Sequence, residues 1–269
     1  MPVVRGRQAG RPSAVQASRL AERLTERDRR IALDCYDHRV LTTDQLARLH
    51  FQSRRVAQRR LGQLHELRVL ERFRPVWQHG EGSTPFHWVL DLAGAVVVAE
   101  LLEIAVDQLS WRRDHIYQLA SSSKLNHQVA VNEFFTRLHA EALPDGGALV
   151  EWWGERRVSA AFAGRLQPDG YGHLQVAGSS IRFLLELDRG TETHQRLAEK
   201  ADRYQRELAH SDLANADPLV LLLTPSPRRT SQTADVTAGR PVPLIAATWM
   251  PESPTSPLAL LRQAARACT

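Results

Sequence analysis

Three acidic side chains stand where a β-sheet would ordinarily take apolar ones. Glu186 and Asp188 lie within "FLLELDRGTE", Phe183 to Glu192, and Asp169 follows Pro168 in "LQPDGYGHLQV", Leu166 to Val176. Both runs have strand composition, and alternate residues of a strand share a face. Glu186 and Asp188 are therefore expected to point the same way, with Ile181, Phe183, Leu185 and Leu187 on the other face. A hairpin partner would bring Asp169 alongside. Converging carboxylates repel one another unless a cation lies between them, and oxygen ligands suit Mg²⁺ or Mn²⁺. The chemistry this predicts is metal-assisted attack of water on a phosphodiester. Lys200 follows on a helix with Tyr204 one turn later on the same side, and its ammonium is expected to orient the water or meet the phosphate. Glu192 is either a further acid or a charge favoured by the helix dipole. The competing reading is structural: Asp169 makes a turn after Pro168, and "ELDRG" ends an edge strand in salt bridges to Arg182 and Arg189.

The elements that must position these residues run in the order α-β-β-β-α-β. A helix is expected over Leu119–Ala142, ended by "LPDGG" with its proline and glycines. Strand-type runs follow in "ALVEWWGERRV", "LQPDGYGHLQVAG" and "SIRFLLELDRG". A helix with Thr191 as cap should run to about His210. "PLVLLLT" is continuous apolar sequence, the pattern of a fully buried strand, and "RPVPLIAATWM" is another. "SPLALLRQAARAC" closes as a helix, and residues 225–240 read as a polar surface segment. His127 and Asn132 read as packing or substrate-lining polar residues. Trp152 and Trp153 read as core aromatics, with stacking on unpaired bases as the alternative.

Charge points to a polyanionic partner. The 269 residues carry a net charge of +5, with arginine dominating the basic residues, and the pI is near 9.7. Residues 1–80 hold 17 Arg/Lys against 8 Asp/Glu, so the basic excess is concentrated there. Residues 1–22 read as a basic flexible arm. Beyond it, Thr25, the threonines of "TTDQLARLHF" and Ser53 each offer a helix cap. In the third helix Ala57, Leu61, Leu64 and Arg68 share a stripe, opposite Arg55, Gln58, Arg59 and Gly62. A further helix is expected over Leu92–Val106. Between them two runs of aromatic and branched residues flank "GEGS", the signature of a β-hairpin.

Three short helices and a hairpin make a winged helix-turn-helix, with the third helix in the major groove. The expected DNA contacts are Arg54, Arg55, Gln58, Arg59 and Arg60 on that helix and Arg72 and Arg74 on the hairpin, with His79–Ser83 as the wing tip. The alternative is a solvated charged face. Cys35 and Cys268 make no metal pattern, which fits a reducing compartment. No secretory leader is visible, and "VLDLAGAVVVAELLEIAV" is interrupted by acids, so the expectation is a cytoplasmic protein with no membrane span.

The block "LQPDG…FLLELDRGTE…KADRY" resembles the PD-(D/E)xK nuclease superfamily. With the "LNHQVAVNEFF" helix and the N-terminal helices, the chain more closely resembles the replication-relaxation family of actinobacterial plasmids and integrative elements, from about Thr25 to Thr224. The resemblance implies an α/β (α+β) fold: a winged helix at 23–110, then a restriction-endonuclease-like α-β-β-β-α-β domain at 111–269. It implies Asp169 as the first acid and Glu186 as the second. Asp188 occupies the usual lysine place, and Lys200 would supply the cation from the helix. The expected catalytic set is thus Asp169, Glu186, Asp188 and Lys200, with the three acids holding Mg²⁺ or Mn²⁺. The implied role is DNA binding in plasmid or mobile-element replication or relaxation, as an endonuclease or nickase. The alternatives are an inactive accessory factor on the same fold and a transcriptional regulator using only the winged helix. The implied partners are double-stranded DNA and other plasmid replication or transfer proteins.

Overall fold

Each of the first helices carries its own cap, so local sequence sets where it starts. At α1 (Glu26–Asp37) Thr25 Oγ1 accepts from the Asp28 N–H and Asp28 Oδ2 accepts from the Thr25 N–H, a reciprocal capping box. Thr42 and Gln45 repeat the device where β1 (Leu41–Thr42) passes into α2 (Thr43–His50). Ser53 caps α3 (Arg54–Glu66). The structure, a computed structural model, describes residues 23–75, 85–190, 192–209 and 218–268. The expected arm at 1–22, the wing tip at His79–Ser83, and Thr191 and His210 lie outside these. Among the described residues the chain is an α+β protein of ten α-helices and two sheets. No helix there is long and apolar enough to cross a membrane.

Two compact units divide between Asn132 and Glu133. In the first, Ala57, Leu61 and Leu64 of α3 are buried. Arg68, expected on that stripe, lies past the helix end. There the Val69 N–H returns to the Leu64 carbonyl at 2.9 Å and Arg68 takes the left-handed φ of 61°. The sheet has the order β1-β3-β2, with β2 (Leu70–Phe73) and β3 (His87–Leu90) antiparallel. α4 (Leu92–Leu101) stops before the expected Val106. The Ile104 N–H closes onto the Ala99 carbonyl, with Glu103 at φ 54°. The helix expected over Leu119–Ala142 is two, α5 (Asp114–Ala120) and α6 (Leu125–Ala142). A serine run parts them: Ser121 Oγ donates to the Gln118 carbonyl and the Lys124 N–H to Ser122 Oγ. Val40, Phe73 and Val89 pack with Ile116, Ala120 and Leu125, so part of the 111–132 stretch lies in the first unit's core. Asn132 is buried there, its Nδ2 donating to the Val40 carbonyl at 2.6 Å and the His38 carbonyl at 3.2 Å.

The second unit is built on the order β4-β5-β6-β7-β8. β4 (Ala148–Gly154), β5 (Gly170–Val176) and β6 (Ser179–Leu187) are antiparallel. β7 (Leu219–Thr224) and β8 (Leu244–Thr248) continue parallel to β6. The strand expected through "ERRV" ends at Gly154, where α7 (Glu155–Ala161) begins with an acid in its first turn. α8 (His194–Leu208) is capped by Thr193, two residues after the expected Thr191. The segment read as polar surface is largely α9 (Pro227–Thr237), started by Ser226 as cap and Pro227 at the first helical position. α10 (Pro257–Arg266) closes the chain.

The glycines of "PDGYG" have a packing cause. A Cβ at Gly172 would lie 2.4 Å from the Phe183 ring, and one at Gly170 would lie 2.7 Å from the Phe135 ring. Those two rings stack at 5.6 Å, so the strand that begins beside Asp169 is pressed onto an aromatic pair supplied by β6 and α6. Trp152 stacks on Phe135 and Trp153 leans on Tyr171, which puts both tryptophans in aromatic packing.

Candidate functional site

Glu186 sits near the end of β6, 3% exposed, among residues that sheet pairing and packing hold in place. Its neighbour at Leu184 packs with Tyr171, Tyr204, Leu208, Val220 and Leu222 in one apolar cluster. A carboxylate buried there needs partners, and α8 supplies two. The Tyr204 hydroxyl donates to Glu186 Oε1. The Lys200 ammonium meets Oε2 at 2.6 Å. Lys200 and Tyr204 are four apart, so one face of α8 delivers both. Burial pushes the Glu186 carboxyl up to about 7, with the Asp169 charge adding to it, against the pull of Lys200 and Tyr204. Burial alone would lower the Lys200 ammonium, yet pairing with Glu186 and the nearby Glu192 and Asp169 raises it.

Asp169 joins this group from the start of β5. Its N–H donates to the Leu185 carbonyl at 3.0 Å, and its Oδ2 accepts from the Leu187 N–H at 2.8 Å. The side chain thus extends the ladder with β6 by one bond and holds a negative charge beside Glu186. Glu192 approaches from the start of α8, with Oε1 3.7 Å from Lys200. Its Oε2 is buried without a hydrogen-bond partner among the described residues.

Asp188 goes elsewhere. Its Oδ1 accepts from the Gly190 N–H at 2.7 Å and its Oδ2 is held by Arg229 Nε at 2.6 Å. Both partners of that ion pair are nearly buried, at 11% and 6% side-chain exposure. Of the four expected catalytic residues, Asp169, Glu186 and Lys200 come together, while Asp188 is committed to α9. Among the described residues no group of three or more His, Cys, Asp or Glu is arranged to hold a metal ion. The expected three-carboxylate set is therefore not assembled, because a guanidinium has taken the third acid. Asp169 and Glu186 still adjoin, with both Glu186 oxygens already bonded by Tyr204 and Lys200, and Mg²⁺ commonly takes one or two carboxylates with waters and substrate phosphates.

Arg229 and Glu192 complete the charged cluster, and sequence reasoning missed Arg229. Ser226-Pro227, a cap followed by a proline suited to the first helical position, was the local sign of its helix. Lys200 is set apart by rarity as well as by place. Of the 35 Lys and Arg residues only Lys124 and Lys200 are lysines. A compact ammonium with rotatable donors and a planar guanidinium fork are not interchangeable, and it is the ammonium that meets Glu186.

The basic residues of the first unit divide by partner. Arg60 is structural: its Nε and Nη2 hold Asp28 at 2.9 and 2.5 Å, and Asp28 is fully buried. Burial alone would raise the Asp28 carboxyl, but hydrogen bonds from Arg60 and Thr25 prevail and hold it below its ordinary value. Arg54 pairs with Asp44 at 2.6 Å on the surface. Arg72 and Arg74 lie over the Phe86 ring at 4.3 and 3.9 Å. Arg55, Gln58 and Arg59 are exposed on one face of α3 and have no side-chain partner among the described residues. Gly62 continues that face with open space where a Cβ would stand.

Residues 31–218 match the family described as Replication-relaxation. The match covers most of the chain, including α3, Asp169, Glu186 and Lys200, and it ends before Arg229. No curated protein and no solved structure matches.

Proposed function

The chain belongs to the replication-relaxation family, and from that membership we propose that it binds and acts on the DNA of plasmids or other mobile elements during their replication or relaxation. The N-terminal unit is a winged helix that docks duplex DNA. The observation that carries this reading is the open face of α3. Arg55 and Arg59 are unneutralised cations, spaced to meet phosphates, and between them Gln58 offers the amide that pairs with an adenine edge. Arg72 and Arg74, held over Phe86, add charge on the hairpin.

The C-terminal unit is a PD-(D/E)xK-like fold carrying an endonuclease or nickase site. Its order, α6-β4-α7-β5-β6-α8-β7, supports this, the short α7 being an insertion between the first two strands of an α-β-β-β-α-β run, with Asp169 just before β5 and Glu186 near the end of β6. Asp169 and Glu186 are the acids that would hold Mg²⁺ or Mn²⁺, and such an ion would supply Lewis acidity and an activated water. Lys200 and Tyr204 take one oxygen each of Glu186 and so fix the carboxylate's orientation. Lys200 also carries the positive charge that Asp188 cannot. With its pKa near 7, Glu186 must shed a proton before it can accept a cation, so cleavage should strengthen as pH rises through neutrality.

The test is supercoiled plasmid incubated with Mg²⁺ or Mn²⁺. Wild type should nick it. Glu186→Ala and Lys200→Ala should not, while all three proteins still bind duplex DNA. Binding without nicking by wild type would favour the second reading, an accessory factor that keeps the fold as a scaffold. The closed Asp188–Arg229 pair is the feature that speaks for that reading. Binding confined to a promoter fragment would point to a transcriptional regulator, and absence of duplex binding would remove the DNA reading altogether.

A further inference from the structure

Glu186 lies on β6 and Lys200 on α8, and one side chain from outside the family match touches the chain on both sides of the junction between these elements. Arg229 on α9 reaches Asp188 with Nε at 2.6 Å and the backbone carbonyl of Glu192 with Nη2 at 2.6 Å. Its two contacts thus lie at the end of β6 and just before α8. Asp188 is itself doubly tied, its N–H donating to the Leu223 carbonyl at 2.8 Å and its Oδ1 accepting from Gly190. Gly190 permits the bend through a φ of 81°. The platform for Arg229 is also fixed. Thr230, the next residue on α9, shares hydroxyl contacts of 2.6 Å with Thr224 of β7 and with Thr248 of β8.

We propose that Arg229 is the positioning residue of this site: by bridging Asp188 and the Glu192 carbonyl it sets the start of α8, and with it the reach of Lys200 to Glu186. Asp188, at the place where the resemblance leads one to expect a lysine, then serves as the anchor for Arg229 and is not a metal ligand. The proposal rests on reading Glu186 and Lys200 as the working pair. The guanidinium suits this bridge because its planar fork presents donors in fixed directions to two acceptors. A lysine at 229 would keep the charge but reach only one of the two acceptors.

The experiment uses the chain's shortage of lysines. Full-length protein is acylated with an N-hydroxysuccinimide ester in chelator-containing buffer, and modification of Lys200 and Lys124 is followed by mass spectrometry. The ester reaches an exposed amine more readily than one held in a partly buried ion pair, and Lys200 is 29% exposed and bonded to Glu186. Paired Lys200 should therefore react more slowly than exposed Lys124. Arg229→Gln, Arg229→Lys and Asp188→Asn should each weaken the Lys200–Glu186 pair and speed Lys200 by about tenfold, while leaving Lys124 unchanged. Arg240→Ala is the control, since it removes the Arg240–Asp202 bridge from α8 without touching the turn. Its Lys200 rate should stay at the wild-type value. Should Arg229→Gln fail to fold, Arg229→Lys and Asp188→Asn decide. Unchanged Lys200 rates in the folded variants overturn the proposal. So does an equal rise in Arg240→Ala, because any loosening of α8 would then suffice. Labelling does not depend on DNA or on a metal, so failure of the nuclease reading in the plasmid assay is a separate result.

Discussion

The two charged regions of this protein use the same residue types in opposite ways. On α3 the charges of Arg55 and Arg59 stand in solvent, without side-chain partners among the described residues. Around Glu186 the charges are buried and answer one another: Lys200 and Tyr204 on Glu186, Arg229 on Asp188. Exposed, unpaired charge costs little to keep and can act on a distant polyanion. Buried charge costs desolvation and persists only with partners in fixed geometry. The first arrangement suits attraction, the second suits orientation. The contrast also runs within α3, where Arg60, the next residue after Arg59, is built on the second plan.

The largest expected effect separates those two neighbours. Arg60→Ala leaves Asp28 buried without its guanidinium and should cost about 3–5 kcal/mol in urea denaturation. Arg59→Ala should change stability by less than about 0.5 kcal/mol. Equal costs would erase the distinction between paired and open arginines.

Acid sensitivity should differ next. Glu186 has its pKa raised from 4.5 to about 7, so between those values the folded chain holds a proton that the unfolded chain has lost. Its stabilising effect is complete below pH 4.5 and is lost as pH rises to about 7, at a slope of at most about 1.4 kcal/mol per pH unit. Asp28 works in the opposite sense. Its carboxyl is lowered from 3.8, so its contribution is present above that pH and fades on further acidification. Hydrogen exchange read separately in the two units should show this opposition, and Glu186→Gln should flatten the slope in the second unit. A slope that persists in that variant would assign the effect to another group.

A smaller effect concerns DNA. Arg55→Ala with Arg59→Ala should weaken duplex binding and reduce the salt dependence of log K by roughly 0.9 for each phosphate that is no longer neutralised. Glu186→Gln should leave both measures as they are. The smallest effect is at Gly62, where a methyl meets nothing within 4 Å. Gly62→Ala should raise stability by up to about 1 kcal/mol through helix propensity, and a fall in stability would show that the glycine is required by the fold.

What the sequence alone determined is local. The caps at Thr25 and Ser53 depend on residues three apart, and the apolar runs of β6 and β7 declare strands without outside help. The approach of Asp169 to Glu186 was also legible, because a short hairpin leaves little choice of register. The starts of α8 and α9 were less so, since competing threonines and a polar composition hide a helix whose support is tertiary. Only the tertiary structure decided which charges are free. Arg60 finds Asp28 across 32 residues and Arg229 finds Asp188 across 41, and no periodicity within either segment encodes those meetings. The reason is physical: a cap is satisfied within one turn of chain, whereas a buried charge is satisfied by whatever partner packing brings to it. The alternation that predicts one face for Glu186 and Asp188 leaves open that one is held by α8 and the other by α9.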